Sequence, residues 1–209
     1  MRGLIGCEKS GVVRRAFLER GYDVVSCDLE RAEDGSNRHI VCDVRELLGD
    51  GWDFLFIAHP PCTRLCNSGV RWLHVPPPGR TLDDMRAELR DGADLFSDCW
   101  NADIPCIAIE NPVMHRHAKA LIRNFVPHAQ SVQPWQFGDA ETKRTCFWLK
   151  GLPPLLPTHR EKPADVAARV WRMPPGPNRA RERSRFFPGI AAAMADQWGA
   201  AAFERARAA

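Results

Sequence analysis

Cys62 stands directly after Pro60 and Pro61, and the prolines follow the apolar run Phe56-Ile57-Ala58. This order predicts a strand that delivers a thiol to its own carboxyl end, on backbone that proline stiffens. A thiol held there can act as a nucleophile once a neighbouring cation or helix terminus lowers its pKa. It can equally pack as a small hydrophobe, because the chain has 8 cysteines and free cysteine is commonly buried. A second apolar run, Ile104 to Ile109, ends in Glu110-Asn111-Pro112 and sets a carboxyl group at another strand end. There Glu110 can exchange a proton with a ligand, or simply pair with a surface base such as Arg116.

Two further acids follow apolar runs. Asp28 closes Tyr22 to Cys27, and Asp43 closes His39 to Cys42. One such carboxylate can accept from ribose hydroxyls and the other from an exocyclic amine, which suits an adenosine-like ligand. Their structural alternative is to cap the helices that follow. The turn Gly6-Cys7-Glu8-Lys9-Ser10-Gly11 offers backbone amides near a helix start, yet it is neither a P-loop nor a strict GxGxxG. Glu8 would repel a pyrophosphate. A cationic cofactor fits better, and S-adenosylmethionine carries a sulfonium and an ammonium.

Charge and cysteine usage bound the rest. The net charge of +3 is modest, but Arg172, Arg179, Arg181, Arg183 and Arg185 gather in one segment against a single Glu182. Such a cluster suits a phosphate backbone, or it is a solvated basic loop. The cysteines are mostly dispersed through apolar runs, which reads as reduced core residues rather than a disulfide framework. A zinc site on Cys62, Cys66 and either His59 or His74 lacks a second cysteine pair to complete a tetrahedron, so no metal is expected. With no run of transmembrane length and too short an apolar start for a signal peptide, a soluble cytoplasmic protein is expected.

The elements that must position these groups alternate. Strands are expected at Leu4 to Gly6, Tyr22 to Cys27, His39 to Cys42, Phe54 to Ala58 and Ile104 to Ile109. Helices are expected around residues 12 to 18, 44 to 48 and 81 to 102, the last weakened by Gly92. This alternation predicts an α/β fold, a mostly parallel sheet with helices on both faces. Beyond it, Thr145 to Leu149 and, more weakly, Gln130 to Trp135 read as strands. Gly151 to Pro177 is proline-rich and irregular, and Ile190 to Arg205 reads as a closing helix with Ile190, Met194, Trp198 and Phe203 apolar. Three regions follow: a core over 1–150, a Pro/Arg-rich excursion over 151–187, and a closing helix over 188–209 packing back on the core.

Taken in order, these motifs resemble the DNA cytosine-5 methyltransferases, and within them the short, divergent forms of phage genomes. The residues that carry the resemblance are Gly11 in the first loop, Asp28, Asp43, Pro60-Pro61-Cys62, Glu110-Asn111-Pro112 and Thr142-Lys143-Arg144-Thr145. It covers roughly residues 1 to 150 and implies a Rossmann-like S-adenosylmethionine-dependent methyltransferase fold in a bacterial or phage-infected cell. It implies that Gly6, Glu8, Gly11, Asp28, Leu29, Asp43, Val44 and Pro60 bind the cofactor. It further implies that Cys62 adds to cytosine C6, that Glu110 hydrogen-bonds or protonates N3, that Arg144 orients the base, and that Asn111 holds the loop beside Glu110. Arg181, Arg183 and Arg185, with Trp171 among them, are the expected grip on DNA.

Three departures from the family pattern stand out. The first loop lacks the usual aromatic and glycine-rich pattern, Thr63 replaces the usual glutamine or serine after the cysteine, and only Gly151 to Phe187 is available where a full recognition domain is usual. The short excursion keeps two alternatives open. One is the same Cys/Glu chemistry on a free pyrimidine nucleotide or another nucleic acid; the other is a non-catalytic nucleic-acid-binding relative.

Overall fold

Strands β1 (Arg2–Gly6), β4 (Phe54–Ile57) and β5 (Cys106–Asn111) are apolar along nearly their whole length because they lie mid-sheet with both faces covered. The computed structural model describes residues 1–208 except 59, 61, 177 and 178, and leaves the side chains of 171, 180 and 181 undescribed. His59, Pro61 and the side chains of Trp171 and Arg181 therefore lie outside the described residues. The remaining strands are β2 (Asp23–Asp28), β3 (His39–Val41), β6 (Gln130–Val132) and β7 (Thr145–Lys150).

The seven strands are ordered β3-β2-β1-β4-β5-β7-β6. The first five run parallel, and β7 is antiparallel to both of its neighbours. Helices α1 (Val12–Leu18) and α6 (Pro188–Ala208) cover one face through Phe17, Phe54, Phe56, Phe147 and Trp198. Helices α2 (Leu82–Trp100) and α3 (Arg116–Leu121) cover the other through Leu55, Ile57, Phe96, Ile107 and Trp148. The expected α/β class is borne out: a mostly parallel sheet with helices on both faces, and an antiparallel β7 set between β5 and β6. Among the described residues no helix is long and apolar enough to cross a membrane.

The structure departs from the sequence reading in a few places. Gly92 does not interrupt α2, because the buried Met85, Leu89, Leu95 and Phe96 hold that helix by packing. Glu110 and Asn111 extend β5 beyond Ile109, since both pair in register with β7. Phe203 is 42% exposed, with the Arg207 guanidinium over its ring, so it is not part of the α6 seam. Helix α3 has no counterpart in the sequence reading; it is short, and His115 starts it by accepting from the Ala118 amide through Nδ1. The 151–187 segment is mostly irregular, as expected, but contains α4 (Arg169–Arg172) and α5 (Arg179–Ser184).

Candidate active site

A cavity of about 500 Å³ opens beyond the carboxyl ends of β1 to β4. Parallel strands place their carboxyl ends and the following loops at this edge, which is where α/β sheets collect ligands. Asp28, Leu29, Asp43 and Val44 line one side of it, and Thr63 and Arg64, immediately after Cys62, line another. Helix α2 closes it with Glu88, Asp91, Gly92 and Leu95. Sequence reasoning missed this helical wall, although the i, i+3, i+4, i+7 spacing of those four residues marks a single helix face.

The cavity is acidic on balance. Arg45 is paired with Asp43 at 2.5 Å and Arg64 with Glu88 at 2.6 Å, which leaves Asp28 and Asp91 to set the sign. Asp43 also caps the 3-10 turn Val44–Leu47, and Arg45 holds its carboxyl below the usual range. Asp28 caps no helix; its Oδ1 accepts from the Glu30 amide at 3.0 Å. Leu29 is 74% exposed beside the cavity, an apolar surface left open among the described residues.

The first turn supports this wall from behind. Cys7 lines the cavity with a left-handed φ of 56°, uncommon for a residue with a side chain. Glu8 does not face the cavity. It is buried, and its carboxylate accepts from the Val13 and Arg14 amides at 2.6 and 3.2 Å, capping α1 from inside. Gly11 precedes α1 at φ +68°, where a Cβ would press on Arg14 and Asp34. The fully buried Arg14 guanidinium donates to Ser26 Oγ at 2.6 Å and Asp34 Oδ2 at 2.5 Å, and Lys9 pairs with Glu30 at 2.6 Å. Together these contacts brace the Leu29-bearing loop against the turn. Gly6 closes tightly on Ile57 and Val44, and Pro60 is buried; neither is among the residues lining the cavity.

Cys62, Glu110 and Lys143 converge next to this cavity. Cys62 is half-buried after β4, and Glu110 is buried at the end of β5. The Cys62 thiol is pushed above its ordinary pKa by a hydrogen bond to Cys66, by burial and by the charges of Cys66 and Glu110, and is drawn down by Lys143. A nucleophile at Cys62 calls for a lowered value, and the surroundings work in the opposite direction. Lys143 reaches the site from the turn before β7. Its Nζ donates to the Arg183 carbonyl at 3.1 Å and lies 5.5 Å from the centre of the Phe187 ring. Arg144 is exposed and turns away, Nε donating to Ser131 Oγ on β6 at 3.3 Å. Asn111 is fully buried, and among the described residues neither atom of its amide has a hydrogen-bond partner.

The arginine segment is tied down internally. Arg183 donates to the Val170 carbonyl at 2.8 Å, and Arg185 pairs with Glu33 at 2.9 Å across the loop after β2. Glu141, 5% exposed, accepts from the amides of Thr142, Arg169 and Val170, so it pins α4 beside the turn that carries Lys143. Among the described residues no group of three His, Cys, Asp or Glu side chains is arranged to hold a metal ion.

No protein-family model matches this chain, and no curated protein does. Among solved structures it is similar to one described as a DNA modification methyltransferase encoded within a prophage of E. coli. That likeness has 16% identity and a TM-score of 0.48 over 78% of this chain and 52% of the other. It is also similar to the methyltransferase EhMeth of Entamoeba histolytica, at 13% identity and a TM-score of 0.45 over 74% of this chain and 54% of that one. The chain thus spans about half the length of each, and both of these structural neighbours are described as methyltransferases.

Proposed function

We propose that this protein methylates C5 of cytosine in DNA, using S-adenosylmethionine and a covalent bond between Cys62 and C6. The observation that carries the reading is the adjacency of two features: the acid-lined cavity that includes Thr63 and Arg64, and the Cys62, Glu110 and Lys143 group that begins one residue before them. The cavity suits the cofactor. Its volume lies within the usual range for small-molecule sites, its net acidic lining suits a cation, and exposed Leu29 offers an apolar face for an adenine. Asp28 and Asp43 are the residues to hold the adenosine part. When bound, the cofactor supplies an electrophilic methyl group on a sulfonium.

The chain's own residues then have separate tasks. Cys62 Sγ donates an electron pair to C6, and the ring's π electrons move toward C5. Glu110 hydrogen-bonds or protonates N3, stabilising the charge that this addition places on the ring. Lys143 lowers the cost of a thiolate at Cys62. After methylation, loss of the C5 proton restores the double bond and Cys62 leaves as a thiolate. In a duplex, the target base must first leave the stack.

The test is transfer of label from tritiated S-adenosylmethionine to DNA by the purified protein. Cys62→Ser should abolish it, a drop of at least about 10³-fold. DNA containing 5-fluorocytosine should trap an adduct on the Cys62 peptide; turnover conditions that give no adduct rule out this nucleophile. A second reading, a free pyrimidine nucleotide as substrate, is favoured by the internal engagement of Arg183 and Arg185. Labelling of a free deoxycytidine nucleotide but not of polymer would select it.

A further inference from the structure

The loop after Cys62 and the segment after Glu110 are stitched together, and one histidine closes the seam. The Leu65 and Cys66 amides donate to the Cys62 carbonyl at 3.0 Å, so the chain folds back in one tight turn. Cys66 then pairs antiparallel with Met114. On either side, the Asn67 amide donates to the Val113 carbonyl at 3.1 Å and the His115 amide to the Leu65 carbonyl at 3.0 Å. The loop has little slack, because a Cβ at Gly69 would sit 1.8 Å from the Thr63 carbonyl oxygen. The His115 side chain adds the last tie. It is 5% exposed, with Nε2 at 2.6 Å from the Arg64 carbonyl oxygen and Nδ1 at 3.1 Å from the Ala118 amide. A carbonyl accepts and an amide N–H donates, so both bonds form in one tautomer, neutral with its proton on Nε2. Capping α3 needs no histidine, since serine, threonine, aspartate and asparagine are the favoured caps. Reaching Arg64 at the same time does.

We infer that His115 is a positioning residue for Cys62: its Nε2–H tautomer locks the loop of the nucleophile to the end of β5, so that Cys62 and Glu110 keep one mutual geometry. The inference rests on the methyl-transfer reading for its purpose, but part of its test does not. From His115 the path to the thiol is short, through the Arg64 carbonyl and the turn whose amides hold the Cys62 carbonyl. The path to the acid runs back through Met114 and Val113, both paired to the same loop, to Asn111 and Glu110, which are in register with β7. The Arg64 side chain is held separately, by Glu88 on α2 at 2.6 Å, so the cavity wall has a tie of its own. Burial gives the clamp its weight, because little water reaches a partner left bare at either nitrogen. A displacement of about 1 Å between reacting groups can cost on the order of 10²-fold in rate, the scale on which the clamp acts.

The experiment separates the two nitrogens. His115→Asn keeps a cap for α3 but falls short of the Arg64 carbonyl; His115→Gln places an amide N–H near the Nε2 position but caps poorly. The Asn variant should be the more stable of the two, yet lose about 10²-fold in kcat for methyl transfer, with KM for S-adenosylmethionine within a few-fold. The Gln variant should be less stable and stay within a few-fold of the wild-type kcat. A residue that only supports the fold would make activity follow stability, and that order would overturn the inference. Two readouts need no methyl transfer. Nitrogen-15 NMR of the histidine rings at pH 8 should show His115 with a protonated Nε2 and a bare Nδ1. The other tautomer overturns the clamp, whether or not either variant folds. Iodoacetamide should alkylate Cys66, 6% exposed in the wild type, about tenfold faster in His115→Asn and at close to the wild-type rate in His115→Gln. Trypsin cuts after Arg64, so Cys66 is read in a different peptide from Cys62. If both readouts hold in a protein that methylates neither DNA nor free nucleotide, the clamp stands and the proposed function falls. Methylation that His115→Asn does not slow would do the reverse.

Discussion

At the scale of single residues, the proposed site turns on which cation faces Cys62. Lys143 and Arg144 are adjacent in the chain, so alternation in extended backbone sends them to opposite sides, one toward Cys62 and the other toward Ser131. Lys143→Met should therefore lower the rate of adduct formation with 5-fluorocytosine DNA by about 10²-fold, the scale of one lost charge-stabilising group. Arg144→Met should stay within a few-fold of wild type. Equal losses in the two variants would mean that the task is shared. The sequence allowed either residue at this point, since spacing alone does not choose between neighbours.

At the scale of elements, helix α1 is started by a buried carboxyl group. Burial pushes Glu8 up to about 7, although the Val13 and Arg14 amides favour its charged form. A folded value above the unfolded one means that the protonated group favours folding. The contribution is complete below the unfolded value near 4.5 and is lost as pH rises toward 7, on the order of 3 kcal/mol in all. Thermal unfolding of the wild type should accordingly weaken between pH 5 and 7, and Glu8→Gln, which keeps an acceptor for the two amides, should remove that slope. Asp34 acts in the opposite direction: despite burial, hydrogen bonds from Arg14 and Arg15 hold it down to about 2. Its contribution is present above about 3.8 and fades as pH falls toward 2, so Asp34→Asn should lose stability at neutral pH and little in acid.

At the scale of the whole molecule, the 151–187 segment is fastened to the core at its ends and middle. Trp198 donates to the Pro153 carbonyl at 2.8 Å, Glu141 caps α4, and Phe186 packs edge-on against Phe56. Glu141→Ala would remove the acceptor of the part-buried Arg169 and Val170 amides, at about 1 kcal/mol each. Limited trypsin treatment should then cut at Arg169 and Arg172 about tenfold faster, while the core stays resistant. Unchanged cleavage would mean that Glu141 does not hold the segment. Because this segment borders the turn carrying Lys143, its loosening should also slow alkylation of Cys62.

Much of this was legible in the chain itself. Apolar runs of strand length separated by helical spacing determined the alternating core, and the ends of those runs placed Asp28, Asp43, Cys62 and Glu110 at one edge, because parallel strands deliver their carboxyl ends together. Only the tertiary structure decided which neighbours those groups meet. It turned Glu8 inward as a helix cap, brought Lys143 rather than Arg144 toward Cys62, supplied the α2 wall of the cavity, and closed the tight turn from Cys62 to Cys66. These pairings depend on side-chain direction and on contacts between segments distant in sequence, and periodicity carries neither. The Cys62 thiol shows the difference most plainly: its position follows from the strand before it, but its protonation follows from the surroundings that the fold gathers around it.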